Sequence, residues 1–248
     1  MAFGEADLRV CSPKATKFGY GRGVLVPFPT DWSTALVLVP HPDDPEYGVA
    51  AAVAKWTSAG KSVVYALASR GEAGIEGMAP AEAGPAREIE QRESARIVGV
   101  ESIEFWDFPD SDIRNTPELR AAITEVIARV QPQVIVSMYG GSEWGPGMLN
   151  QLDHREFAAA VLNAYDILDD KPRWLFENSP EVTHVEEVGD FIEVAVESLA
   201  AHAKYLSVLD PDTPVVDQAR AQVEMVTAAN PDYDNQRVVT FELKRRTR

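Results

Sequence analysis

The run Ala35-Leu36-Val37-Leu38-Val39 passes directly into Pro40-His41-Pro42-Asp43-Asp44, and it constrains the fold more than any other part of the chain. An unbroken apolar stretch of this length suits a strand buried on both faces, as strands of parallel sheets are. Neither proline can donate to a sheet ladder, so the strand must stop there. A histidine and two adjacent carboxylates then stand at the strand's carboxyl end. In open α/β sheets that edge is where ligands bind.

The rest of the chain repeats the pattern. Apolar strand runs recur at 62–68, 102–106, 134–138 and 173–177, and a short strand is expected near 23–28. Helical composition covers 47–59, 87–98, 117–130, 153–168, 194–206 and 215–229. Residues 181–194 suggest two short strands, and the alternation over 237–244 suggests a final edge strand. Two Gly-rich stretches, 69–83 and 139–151, read as long loops, which in compact domains are often functional. Strands alternating with helices predict an α/β fold: a Rossmann-like, mostly parallel sheet with helices on both faces. With no low-complexity linker and no internal repeat, the expectation is a single domain over 1–248, residues 1–22 forming an irregular lead-in.

Charge narrows the partners. The formal net charge is −16, from 23 Lys and Arg against 39 Asp and Glu. Nucleic acid calls for a basic face and is excluded on this ground; an anionic membrane surface is disfavoured for the same reason. No stretch reaches the roughly 20 apolar residues of a membrane span, so no membrane insertion is expected. Cys11 is the only cysteine, which rules out an internal disulfide. Without an apolar leader, the chain is read as cytoplasmic. An exposed aromatic loop leaves room for a homo-oligomer.

Two of the four histidines stand beside acids where chemistry is expected. His41 lies in the loop after the first long strand, and His154 follows the Gly-rich loop after the fourth. Both then fall on one edge of the sheet. Two histidines and one carboxylate with an open fourth position make a catalytic zinc set. His41 and Asp44 are close enough to share an ion if the turn curls, which frees Asp43 to act as a base. The competing reading is that Asp43 and Asp44 merely cap the helix that follows.

Five signatures in order then show a resemblance. They are His41-Pro42-Asp43-Asp44, Arg70-Gly71-Glu72-Ala73-Gly74, Arg87 with Glu90 and Gly99-Val100, Phe108-Pro109-Asp110, and Asp153-His154-Arg155, with a weaker Ala201-His202. Together they resemble the PIG-L/LmbE-like family of zinc-dependent de-N-acetylases over about residues 35–202. The resemblance implies a hydrolase that removes an N-acetyl group from an N-acetylglucosamine-type small glycoconjugate. It implies His41, Asp44 and His154 as ligands of Zn2+ or another divalent transition metal, and Asp43 as general base. It places Arg70, Glu72 and Asp110 on the substrate or around its pocket. Arg87, Glu90 and His202 are expected as supporting residues, and His184 on the surface.

The chain departs from the family in three places; one is Pro45, where members carry an acid, which costs the turn a backbone donor but no ligand. Many members carry a second histidine three residues before the last ligand; here that position is Gln151. A glutamine amide can donate a hydrogen bond but cannot exchange a proton near neutral pH. Gln151 therefore suits oxyanion stabilisation, with any acid work left to Asp43 or another group such as His202. The 139–150 loop also differs, and its Trp144 offers a flat face to a sugar or an apolar group, or to a neighbouring subunit. Two alternatives follow: an amidase on thiol conjugates of the mycothiol type, or a zinc-retaining binding protein with little turnover. A nucleotide-binding protein would need a Gly-rich strand-to-helix turn, which is absent.

Overall fold

Alternate residues of the first long strand, β2 (Thr34–Val39), enter two different cores. Ala35, Val37 and Val39 join one apolar cluster and Leu36 and Leu38 the other. The same split recurs in β3 (Ser62–Leu67) and β5 (Val134–Met138), which flank β2 in parallel. Strands with two dry faces need no polar positions, which is why the sequence shows apolar runs rather than alternation. The computed structural model describes residues 25–247; the expected lead-in over 1–22 lies outside them.

In chain order, β1 (Val26–Pro27) and β2 are followed by α1 (Asp44–Gly48), α2 (Ala50–Ser58), β3, α3 (Pro80–Ile97), β4 (Ser102–Phe105), α4 (Pro117–Val130) and β5. A small hairpin, β6 (Glu143–Gly145) and β7 (Met148–Leu149), precedes α5 (Leu152–Ile167) and β8 (Trp174–Asn178). Then come β9 (His184–Glu187), α6 (Ile192–Ala200), α7 (Ala203–Leu209), α8 (Val215–Val226), β10 (Ala229–Asn230) and β11 (Gln236–Arg246). The main sheet has nine strands, in the order β1-β9-β11-β8-β5-β2-β3-β4 with β10 on β11. From β4 to β8 every pair is parallel; β11 runs antiparallel to β8 and β9. Trp56 of α2, Val196 of α6 and Val223 of α8 cover one face, and Ile123 of α4 and Phe157 of α5 cover the other. This is the α/β architecture with helices on both faces that the sequence predicts.

The structure corrects several element readings. The helix expected over 47–59 is α1 and α2, which meet at Val49, and 181–194 holds one strand, β9, where two were expected. The helix expected at 87–98 starts at Pro80; Pro80 occupies its first turn, where no N–H is needed, and Pro85 lies inside it. The 139–151 loop contains the β6–β7 hairpin. The helix expected over 194–206 is two helices, because the chain turns at His202 to bring its imidazole inside, 0% exposed. The last strand is not an edge: β11 lies between β8 and β9 and pairs with each over a different half. Among the described residues no helix is long and apolar enough to cross a membrane.

Candidate active site

The loop after β2 places the chemistry, and a buried polar network places the loop. Asp43 adopts a left-handed backbone, φ 81°, which costs a residue other than glycine about 1–2 kcal/mol. Two side chains of α3 hold it there. Gln91 Nε2 donates to both oxygens of Glu46 at 3.1 Å, so its amide oxygen faces the other way and accepts from Asp43 N at 2.6 Å. His202 Nε2 stands 3.3 Å from the same Glu46. Arg87 donates to Pro42 O at 2.7 Å and to Gly71 O at 3.1 Å, and its Nη2 lies 3.3 Å from Asp43 Oδ1. The Arg-Gly-Glu-Ala-Gly loop leaves room for that guanidinium. A Cβ on Gly71 or Gly74 would come within 2.2 Å of Arg87 Nη1, and Gly71 also needs its φ of 63°.

The adjacency of β2 and β5 brings His41, Asp44 and His154 together, all buried, with one ligating atom of each within 4.8 Å of the others. His41 Nδ1 lies 3.5 Å from Asp44 Oδ2, and His154 Nε2 lies 3.3 Å from Asp44 Oδ1. Both rings are oriented from behind. His41 Nε2 faces Asp153 Oδ2 at 3.1 Å and Asp110 Oδ1 at 3.2 Å. Each of those carboxylates takes a main-chain N–H on its other oxygen, from Ile113 and from Ala73. Carboxylates that hold a histidine ring in this way are the usual backing of a metal ligand.

His154 is set by Asn150, a residue the sequence reading passes over. Asn150 Nδ2 donates to Tyr139 O and Gly141 O, both at 2.8 Å, which fixes the amide orientation. Its Oδ1 then accepts from Trp144 Nε1 and from His154 Nδ1, both at 3.0 Å. With the proton on Nδ1, the neutral ring has its lone pair on Nε2, aimed at a carboxylate. Nε2 is buried and makes no hydrogen bond. Two acceptors face each other across a gap that calls for a proton or a cation. The donor set of two imidazoles and one carboxylate fits a divalent transition metal.

Burial raises the Asp44 carboxyl, but positive charge in the gap, placed on His154 foremost and on His41, holds it below the usual carboxylate range; with the rings neutral, a bound cation would take over that role. Burial disfavours charge on His41, yet Asp110, Asp153 and Asp44 raise its pKa well above the ordinary value. Asp43 behaves differently. Burial pushes its carboxyl up to about 6 against the pull of Arg87, with Asp44 adding to the rise. A carboxylate tuned toward neutrality suits general base work.

A cavity of about 380 Å³ opens over this floor. Asp43, Asp44, His154, Gln151 and Trp144 line it, together with Tyr47 and side chains of α7, α8 and β11. The side chain of Gln151 makes no capping bond to α5 and remains available to a ligand. A second cluster of His41, Asp110 and Asp153 also has ligating atoms within 4.8 Å, but none of its members lines the cavity.

The structure does not bring Arg70, Glu72 and Asp110 to the cavity. Arg70 binds Glu88 at 2.9 Å and pairs with Asp107. Glu72 accepts from Asp110 N at 2.9 Å, and Asp110 is taken up by His41 and Ala73 N. They tie the two loops beside the site to each other. Arg87, expected as a supporting residue, is 3% exposed and lies against Asp43, while Glu90 accepts from Lys204 N. His184, expected on the surface, is half-buried with its ring edge-on to Phe176.

A family model described as PIG-L, GlcNAc-PI de-N-acetylase, matches residues 36–165. A diacetylchitobiose deacetylase of Thermococcus kodakarensis is 34% identical over 108 residues, which are 43% of this chain and 40% of that protein. A probable N-acetyl-α-D-glucosaminyl L-malate deacetylase 2 of Bacillus anthracis is 28% identical over 185 residues, covering 68% of this chain and 79% of that one. The chain thus spans less than half the length of the first of these relatives and about four fifths of the second. Among solved structures, N,N'-diacetylchitobiose deacetylase from Pyrococcus horikoshii superposes with a TM-score of 0.71 at 19% identity, over 86% of this chain and 84% of that one. That likeness speaks for the fold.

Proposed function

Because the chain belongs to the PIG-L, GlcNAc-PI de-N-acetylase family, we propose that it is a metal-dependent hydrolase releasing acetate from an N-acetylglucosamine-type small glycoconjugate. The observation that carries the reading is the lone pair of His154 Nε2 facing the Asp44 carboxylate, with Asp43 beside them at the floor of the cavity. His41, Asp44 and His154 would hold the ion, zinc being the expected one. When bound, a divalent cation polarises the amide carbonyl and acidifies water.

The chain's own groups do the rest. Asp43, kept close to its place by Gln91 and Arg87, takes a proton from the attacking water. The water oxygen bonds to the carbonyl carbon, the C–N bond breaks, and the proton passes from Asp43 to the leaving nitrogen. The products are acetate and an amine. The Gln151 amide donates toward the carbonyl oxygen, where negative charge develops. It has no proton to give away, so Asp43 serves as base and then as acid.

The test pairs metal content with amine release, on wild type and His154→Ala. Near one zinc per chain, lost in the variant, with amine released from N-acetylglucosamine derivatives by wild type alone, supports ligands and reaction together. Metal content indifferent to His154 removes the site. Zinc without amine release keeps the site and removes the reaction.

A further inference from the structure

The cavity walls carry a preference beyond the acetamide itself. Among the described residues the lining has no lysine or arginine, and its formal charges are Asp43 and Asp44 at the floor. Arg87 lies behind the wall, its guanidinium 4.3 Å from the Tyr205 ring centre and paired with Asp43. Several polar side chains of the wall are tied to the protein, each by one bond. Asn178 Nδ2 binds Thr240 O at 3.0 Å, and Gln222 Nε2 binds Tyr47 O at 3.1 Å. Ser179 Oγ binds Glu242 at 3.0 Å, and Thr240 Oγ1 binds Ser179 O at 3.2 Å. An anionic substituent would find no cation on the walls and two carboxylates at the floor, and neutral donors alone would leave its charge poorly compensated.

What the walls do offer is soft apolar surface. Met138 of β5, Met148 of the hairpin and Met225 of α8 all line the cavity, with Tyr47, Trp144 and Tyr205. Methionine fills irregular apolar shapes, and flat aromatic faces suit rings and alkyl chains. Leu149, also in the lining, is 78% exposed at the hairpin lip, the kind of apolar surface a bound chain can cover.

We infer that the substrate is an uncharged N-acylated amino sugar bearing an alkyl or aryl group, rather than an acid-bearing or phosphorylated conjugate. This rests on the deacylase reading above and names the substrate class of the same site. The apolar group can sit in the glycosidic position or extend the acyl chain; the two sources share one chemistry and are separated by experiment.

The experiment uses a matched series on the zinc-loaded protein. It compares methyl, hexyl and phenyl glycosides of N-acetylglucosamine with its glycoside of a hydroxy dicarboxylic acid and with N-hexanoylglucosamine. Amine release gives kcat/KM. In parallel, quenching of tryptophan fluorescence on the metal-free protein by hexyl glucoside, which has no amide, reads binding without turnover. The expected result is that kcat/KM rises about fourfold for each of the first few methylenes. The acid-bearing glycoside should fall at least tenfold below the hexyl one, and hexyl glucoside should quench where glucose does not. A gain with hexyl or phenyl glycosides places the apolar group on the glycosidic side; a gain with N-hexanoylglucosamine places it on the acyl side. Met225→Lys should narrow the gap between acid-bearing and hexyl glycosides, mainly through KM. A flat alkyl series, or an acid-bearing glycoside turned over as well as the hexyl one, overturns the inference. Selective quenching by hexyl glucoside with no amine released from any member would sink the deacylase reading and leave the wall preference standing. No turnover together with no selective quenching defeats both.

Discussion

Replacing Asn150 by alanine tests how the site fixes its second imidazole. In the native protein two main-chain carbonyls pin the amide, and the amide oxygen then dictates which nitrogen of His154 carries the proton. Alanine removes the acceptor, so the ring gains the tautomer with its proton on Nε2, pointing at Asp44. One neutral hydrogen bond is worth about 1 kcal/mol, about fivefold in a binding constant. The extra freedom of the ring adds to this, and loss of a ligand's hydrogen-bonding partner typically costs 10- to 100-fold in metal affinity. We therefore expect zinc affinity to fall about tenfold, measured by competition with a chelator at fixed pH. The alanine variant also leaves the Tyr139 and Gly141 carbonyls and the Trp144 N–H without their partner, for a further cost of about 1–3 kcal/mol in folding stability. Asn150→Asp separates the two effects. It keeps an oxygen toward His154 but sets another against two carbonyls, so it should lose stability while retaining the His154 tautomer and most of the zinc affinity. Nitrogen-15 shifts of the His154 ring report the tautomer directly. If zinc affinity and ring shifts are both unchanged in Asn150→Ala, the reasoning from amide orientation to tautomer is wrong.

Three further outcomes are expected. Asp43→Asn should retain near-native zinc content and lose about 10²- to 10⁴-fold in kcat, the range for a general base; loss of zinc instead would make Asp43 a ligand. Gln151→Ala should lower kcat about 10²-fold or more with little change in KM if its amide meets the developing charge, and an unaltered kcat would remove it from the reaction. Gly71→Ala places a Cβ 2.2 Å from Arg87 Nη1 at a positive φ; it should cost about 2 kcal/mol or more, read as a fall in Tm of about 4–8 °C, whereas an unchanged Tm would show that the Arg87 cradle is loose.

The parts of this fold that were legible in the sequence are the local ones. Ala35 to Val39 announces a doubly buried strand because both of its faces meet apolar cores, and the two prolines after it mark its end. The start of α3 was hidden because Ala81-Glu82-Ala83-Gly84-Pro85 has loop composition, while Pro80 at the helix start needs no donor. The strand β11 was mistaken for an edge because alternation reports one wet face and says nothing of which neighbours pair along the ladder. Asn150 was invisible for another reason. It lies just before a helix, and its importance comes from two carbonyls of the preceding loop and a ring on the following helix. Arg70, Glu72 and Asp110 sit in loops beside the site, which motif order cannot distinguish from lining it. Tyr205 and Met225 reach the cavity from helices distant in the chain, and no periodicity signals that.

The side-by-side placement of β2 and β5 has a kinetic consequence. His41 and Asp153, which backs it, are 112 positions apart in the chain, and β3, α3, β4 and α4 all lie between. No short segment carries enough ligands to hold an ion, so the coordinating set exists only after this long excursion has closed. Such non-local closure is the slow, entropically costly part of assembly. A cation would therefore arrive late, at an arrangement the strands have already built. It should slow the unfolding of the finished protein and leave its rate of folding almost unchanged.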